Sequence, residues 1–232
     1  MTKSDLKSVL PIKKYISTGI LFLCFLLFTI AVLVFDVKPI GPKGSAVGFA
    51  SLNESFNKIN GSSSVWYEIS DYLGYAALGI ALGFALFGLW QLIKRRSFKK
   101  VDGEIWLLAA LYADLAICYI LFEFLKVNYR PVLEDGELAA SYPSSHCMLA
   151  VVIFGSAIYM LRNYIGNKTV CNIAVIVVIL MLAVTIAGRV LAGVHWLTDI
   201  IGGLLLGSAL LSLFFAAIET YNIIKTARSK RK

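Results

Sequence analysis

The stretch VCNIAVIVVILMLAVTIA at residues 170–187 holds no charged side chain, and GRVLAGVHWLTD at residues 188–199, directly after it, carries Arg189, His195 and Asp199. A helix of that apolar length rises about 27 Å, close to the ~30 Å of hydrocarbon in a bilayer. Five other blocks read the same way, giving spans at 17–35, 72–93, 105–125, 147–161 and 200–218 besides 170–187. With 59% hydrophobic and 16% charged residues and a mean hydropathy of +0.78, the chain is far more apolar than a globular domain, which averages about 45–50% apolar and about 25% charged residues. One water-soluble core cannot hide that surface. The expected fold is all-α: an integral membrane bundle of six transmembrane helices, one domain over residues 1–232. Small residues such as Ala76, Ala77, Gly79, Ala81, Gly83 and Gly88 suit helices packed closely in lipid. The alternating ten-residue pattern of a membrane β-barrel is absent.

The first span follows a basic stretch, as a signal peptide would, but its apolar run reaches Phe35 and no small-residue cleavage site follows, so it is retained as a span. Cys24, Cys118, Cys147 and Cys171 form no CxxC pair and sit in or beside apolar blocks. They read as small core residues, not as a metal site or a disulfide framework.

The net charge of +8 is distributed between the spans and points to membrane orientation, not to nucleic acid. With both termini cytoplasmic, the inner side receives sixteen Lys and Arg, Lys3, Lys7, Lys230, Arg231 and Lys232 among them. The outer side receives six: Lys38, Lys43, Lys58, Lys126, Arg130 and Arg189. Arg130 and Arg189 are the two outer arginines among seven, and charge bias does not account for them. The long outer loop at 36–71 contains an apolar-polar stretch at 49–59 that reads either as an interfacial helix or as an irregular connector.

The chain has two histidines, His146 and His195, and each falls at the outer mouth of a span. A single histidine is more often a satisfied core residue. Two of them with two arginines on one face point to chemistry on an anion. If the last span begins near His195, then His195 and Asp199 share a helix face, and the carboxylate accepts a hydrogen bond from one ring nitrogen. The other nitrogen is then bare and can act as a nucleophile. The plainer reading of Thr198-Asp199, a helix cap, leaves Arg189 and His195 unexplained. In Tyr142-Pro143-Ser144-Ser145-His146, two hydroxyls and the free N–H groups of a helix start form an anion cradle, and His146 adds a proton donor. In Lys126-Val-Asn-Tyr-Arg130-Pro131, Arg130 offers a planar fork and Lys126 a point charge one turn earlier, with Pro131 breaking the helix. Either cation could instead reach lipid head groups. Asp114 and Glu123 fall inside the third span. Glu123 is read as pairing with Lys126, and Asp114 as neutral and facing a neighbouring helix.

Together these segments resemble the type 2 phosphatidic acid phosphatase family, whose relatives include the vanadium haloperoxidases. The family pattern is a lysine, six residues and Arg-Pro; then Pro-Ser-Gly-His; then Ser-Arg, five residues, His, three residues and Asp. Arg130-Pro131, Pro143-Ser144-Ser145-His146 and Arg189 through His195 to Asp199 supply it, and the resemblance covers roughly residue 105 to the end, with the motif core at about 105–218. It implies that His195 attacks phosphorus, that Asp199 orients it, and that His146 protonates the leaving oxygen. Arg130, Arg189 and Ser144 would bind the phosphoryl oxygens, with Ser145 and Lys126 beside them. It further implies a phosphohistidine intermediate, no metal or other cofactor, and a lipid phosphate or lipid pyrophosphate as substrate, and the charge count puts that site at the outer face of the cell membrane. Three positions depart from the pattern: Glu123 stands at the family lysine, Ser145 at the glycine of Pro-Ser-Gly-His, and Gly188 at the serine before Arg189. A phosphotransferase of the same fold remains an alternative. So does a silent lipid-binding or transport protein, although both histidines and Asp199 are present, and a silent relative would tolerate losing them.

Overall fold

The computed structural model describes residues 10–229. Lys3, Lys7, Lys230, Arg231 and Lys232 of the charge count lie outside the described residues. Among those described there are seven α-helices: α1 (Ile12–Val34), α2 (Ala50–Asn60), α3 (Ser64–Arg95), α4 (Gly103–Leu125), α5 (Ser145–Tyr164), α6 (Lys168–Ala192) and α7 (Leu197–Ser229). All except α2 are long and apolar enough to cross a membrane, which matches the six expected spans. The helices run past the apolar blocks, most clearly in α3, which starts at Ser64, and α7, which continues to Ser229. Hydropathy marks the hydrocarbon slab, whereas backbone hydrogen bonding continues into polar flanks.

The most apolar windows of α5 and α7 are half buried inside the protein, whereas those of α1, α3, α4 and α6 are 11–22% buried. The two helices that start beside the site motifs therefore form the centre, and the others turn apolar faces outward, such as Leu23, Leu26 and Ile30 on α1 and Ile173, Ile176 and Leu180 on α6. Close packing at the centre depends on small residues. A Cβ at Gly203 would fall 2.5 Å from the Ser144 carbonyl oxygen, and one at Gly207 would fall 3.1 Å from that of Met148. In lipid this kind of backbone approach is the main source of helix association.

One end of the bundle gathers the C-termini of α1, α4 and α6 and the N-termini of α3, α5 and α7. The backbone N–H of Ser63 donates to the Ala192 carbonyl at 3.4 Å, that of Ser144 donates to the Asp199 carbonyl at 2.8 Å, and Trp196 Nε1 donates to the Tyr129 carbonyl at 2.7 Å. The stretch at 49–59 is helical, as α2. Its buried Asn53 donates to Thr198 Oγ1 at 3.0 Å and accepts from the Thr198 backbone N–H at 3.2 Å. This short helix thereby clamps the start of α7.

The third span ends differently from the expectation. α4 stops at Leu125 because Lys126 adopts the left-handed conformation (φ 46°) and its N–H closes the last turn onto Phe122. Pro131 therefore does not end the helix, and Lys126 is not one helical turn before Arg130. The chain then forms a hairpin arm in which the N–H of Arg130 donates to the Ala139 carbonyl at 3.0 Å. Asp135 and Gly136 turn the arm with positive φ of 50° and 80°, as a two-residue hairpin turn requires. Among the described residues Glu123 makes no ion pair with Lys126, and Asp114 is exposed on α4 instead of facing a neighbouring helix.

Candidate active site

α6 ends at Ala192, and Gly193 (φ 68°) turns the chain toward α7. A Cβ at Gly193 would run into the backbone of Gly61 and Ser62, so glycine is required there by both conformation and space. The turn leaves His195 in the connection ahead of α7, and this corrects the shared-face expectation. His195 Nδ1 lies 3.9 Å from Asp199 Oδ2, too far for a hydrogen bond. Ser141 fills the gap, with its Oγ 3.1 Å from His195 Nδ1 and donating to Asp199 Oδ2 at 2.5 Å. Because the Ser141 hydroxyl donates to the carboxylate, its lone pair accepts the hydrogen of Nδ1. Nε2 is then the bare nitrogen, and it is buried without a partner.

Asp199 is fully buried. Its Oδ1 accepts from Asn128 Nδ2 at 3.1 Å, and its Oδ2 also accepts from the Trp196 backbone N–H at 2.9 Å. The second contact is a helix-start contact of the capping-box type. Asp199 therefore caps α7 and orients His195 through Ser141 at once. Burial first, and then the charges of Arg130, Arg189 and His146, push the protonation of His195 well below the ordinary 6.5. The ring is neutral around pH 7.

Arg189, in the last turn of α6, is 1% exposed. Its Nη2 donates to Asp71 Oδ1 at 3.1 Å, while Nε and Nη1 are buried and unpaired. Arg130 donates from Nη1 to Glu134 at 3.3 Å and keeps an unpaired, buried Nε. Ser144 is the N-cap of α5, yet its side chain makes no capping bond, and its buried Oγ is free. Capping therefore does not explain the serine. His146 donates from Nε2 to Asp71 Oδ1 at 3.1 Å and leaves Nδ1 buried and unpaired. Of ten buried side-chain polar atoms without a partner among the described residues, six belong to Arg130, Ser144, His146, Arg189 and His195. Buried polar groups nearly always find partners. A concentration of orphans on these five residues marks a place built for a polar guest, and its cations and hydroxyl select an oxyanion.

His195, Arg130, Ser141 and Ser145 line a small cavity, to which Glu123 also contributes. His146 and Asp71 line a larger, mostly apolar one of about 470 Å³ between α3, α4 and α5, with Leu78, Tyr112, Leu149 and Ile153. Tyr119, Ser145 and Met148 border both, so the two imidazoles serve adjoining chambers instead of a single one. Lys126 is exposed and lines neither chamber. The left-handed C-cap takes it off the end of α4. Among the described residues no group of three or more His, Cys, Asp and Glu is placed to hold a metal ion.

Three site residues escaped the sequence reading. Ser141 and Asn128 are ordinary polar residues whose side-chain partners at the site are 54 or more positions away. Asp71 fell at the end of the supposed outer loop, because the apolar run begins at Tyr72, although α3 starts a full two turns earlier. Gly188 now has a physical reason. A Cβ there would lie 2.8 Å from Ser70 Cβ on α3, so the close approach of α3 takes the space of the family serine.

Residues 116–223 match the family model of the PAP2 superfamily. No curated protein sequence matches the chain. Among solved structures, the fold matches the crystal structure of a transmembrane PAP2-type phosphatidylglycerolphosphate phosphatase from Bacillus subtilis, with a TM-score of 0.61 and 20% identity, over 87% of this chain and 96% of that one.

Proposed function

Proceeding from a PAP2 superfamily match over residues 116–223, we propose that the protein is a multi-pass membrane phosphatase that hydrolyses a lipid phosphomonoester or lipid pyrophosphate through a phosphohistidine. Phosphatidic acid, phosphatidylglycerophosphate and undecaprenyl pyrophosphate form the substrate class. The observation that carries the reading is the set of six unpaired buried polar atoms on Arg130, Ser144, His146, Arg189 and His195, placed beside an apolar chamber large enough for lipid chain. The chamber lies on the His146 side, so a lipid seated in it presents its phosphate ester oxygen to the acid and its phosphorus to His195.

In the first step the lone pair of His195 Nε2 forms a bond to the terminal phosphorus, the bond from that phosphorus to the ester oxygen of a monoester or the bridging oxygen of a pyrophosphate breaks, and that oxygen takes a proton from His146. In the second step water attacks the phosphohistidine and gives its proton to His146, and inorganic phosphate leaves with His195 restored. Asp199 and Ser141 hold His195 in the productive tautomer, and Arg130, Arg189 and the Ser144 hydroxyl hold the phosphoryl oxygens. Phosphoryl transfer asks chiefly for such positioning and charge stabilisation, so no metal is assigned. The distribution of Lys and Arg supports cytoplasmic termini and a site at the outer face of the cell membrane.

The test is phosphate release by the purified protein in detergent over the three lipids. Activity is expected to persist with chelator present. His195→Ala is expected to lose more than about a thousandfold, and His146→Ala about 10²–10⁴-fold. Wild-type turnover in His195→Ala would overturn the proposal.

A further inference from the structure

α3 contributes no residue to the three motifs, yet it approaches the site at two places where a side chain would not fit. One is Gly188 against Ser70, and the other is Gly74, where a Cβ would fall 2.8 Å from His146 Cδ2. Between these contacts, on the face of α3 that also carries Gly74, stands Asp71. Its Oδ1 accepts from His146 Nε2 and from Arg189 Nη2, each at 3.1 Å. One carboxylate oxygen thus joins the acid histidine of α5 to the phosphate-binding arginine of α6.

We propose that Asp71 and Gly74 form a seat that positions His146 as proton donor. The inference rests on the reading of the protein as a histidine phosphatase and assigns that site a further positioning residue from outside the matched segment. Gly74 lets the imidazole lie against the helix backbone. Asp71 holds Nε2, which leaves the buried, unpartnered Nδ1 as the nitrogen that gives its proton to the departing lipid oxygen. It also supplies the negative charge beside a ring that must carry an extra proton next to Arg189. After transfer, His146 is neutral, keeps its Nε2 hydrogen on Asp71, and can take a proton from the attacking water at Nδ1. The shared oxygen fixes the distance between proton donor and guanidinium, so acid and anion clamp move as one unit.

The seat makes a prediction that a merely structural role does not. A poor leaving group, such as the alkoxide of a lipid phosphate, needs the proton, whereas nitrophenolate from p-nitrophenyl phosphate departs without it. Asp71→Asn is expected to lower kcat/KM, which reports phosphohistidine formation and not its hydrolysis, about ten- to a hundredfold more on phosphatidic acid than on p-nitrophenyl phosphate. Gly74→Ala is expected to show the same selectivity by displacing the ring. Asp71→Glu is expected to recover part of the lipid activity. His146→Ala sets the limit of the leaving-group effect. Equal losses on both substrates, or a raised KM for both with kcat unchanged, would overturn the proposal, because Asp71 would then serve only Arg189 or the fold. His195→Ala, measured in parallel, separates the two readings. If it remains active, the phosphatase mechanism itself fails. If it is dead while Asp71→Asn shows no leaving-group selectivity, only the seat fails.

Discussion

At the scale of single residues, the proposed nucleophile needs one nitrogen of His195 bare and the ring neutral. Ser141 accounts for the first property, since the hydroxyl passes the influence of Asp199 to Nδ1 across 3.9 Å that the carboxylate does not span directly. Burial, reinforced by Arg130, Arg189 and His146, accounts for the second. The sign of the pH dependence follows. Protonation removes the attacking lone pair, so kcat/KM falls on the acid side at the pKa of His195 in the free protein. That limb is expected well below the 6.5 of an unperturbed histidine. Arg130→Gln removes a positive charge that opposes the imidazolium, so its acid limb is expected at higher pH, whatever the variant's absolute rate. Phosphate release measured across pH on both proteins checks this. A limb at or above 6.5 in the wild type, or a downward movement in the variant, contradicts it.

At the scale of helices, the geometry of the candidate site is a consequence of small residues. Gly203 brings α7 against the Ser144 carbonyl, and the N–H of Ser144 bonds to the carbonyl of Asp199. The two motif helices are therefore stitched at their first turns. Gly188 does the same between α6 and α3. Introducing the serine of the PAP2 pattern with Gly188→Ser is consequently expected to harm the protein, although the serine would add a hydroxyl near the phosphate. The added Cβ forces Ser70 away, at an overpacking cost of about 1–3 kcal/mol. It moves Asp71, one residue along, from Arg189 and His146. A lowered thermal midpoint in detergent together with lowered turnover is the expected result, and an increase in activity would show that the α3 approach is dispensable.

At the scale of the whole molecule, six apolar helices present lipid-facing side chains around a half-buried central pair, and the site residues collect at one end. The proposed orientation places that end outside. Single cysteines introduced on a background lacking the four native ones test it. Ser62→Cys, in the loop before α3, is expected to react with a membrane-impermeant maleimide on intact cells. Ser97→Cys, between α3 and α4, is expected to react only after permeabilisation. The reverse pattern would invert the topology and the side from which substrate arrives.

The sequence by itself determined the six spans, because a run of apolar residues has one stable place in a bilayer whatever its neighbours do. It also pointed to His146, His195, Asp199, Arg130, Arg189 and Ser144 as one candidate set, because two histidines and two arginines at helix mouths have no bland explanation together. The tertiary structure alone decided how these groups are wired. Ser141 stands between His195 and Asp199, Asn128 completes the carboxylate, Asp71 bridges His146 to Arg189, and Lys126 stands aside. Hydropathy periodicity reports what faces lipid and where the slab begins. Hydrogen bonds of about 3 Å between residues 54 to 118 positions apart depend on where helices end and how near glycines let them come, and those are properties of the packed bundle.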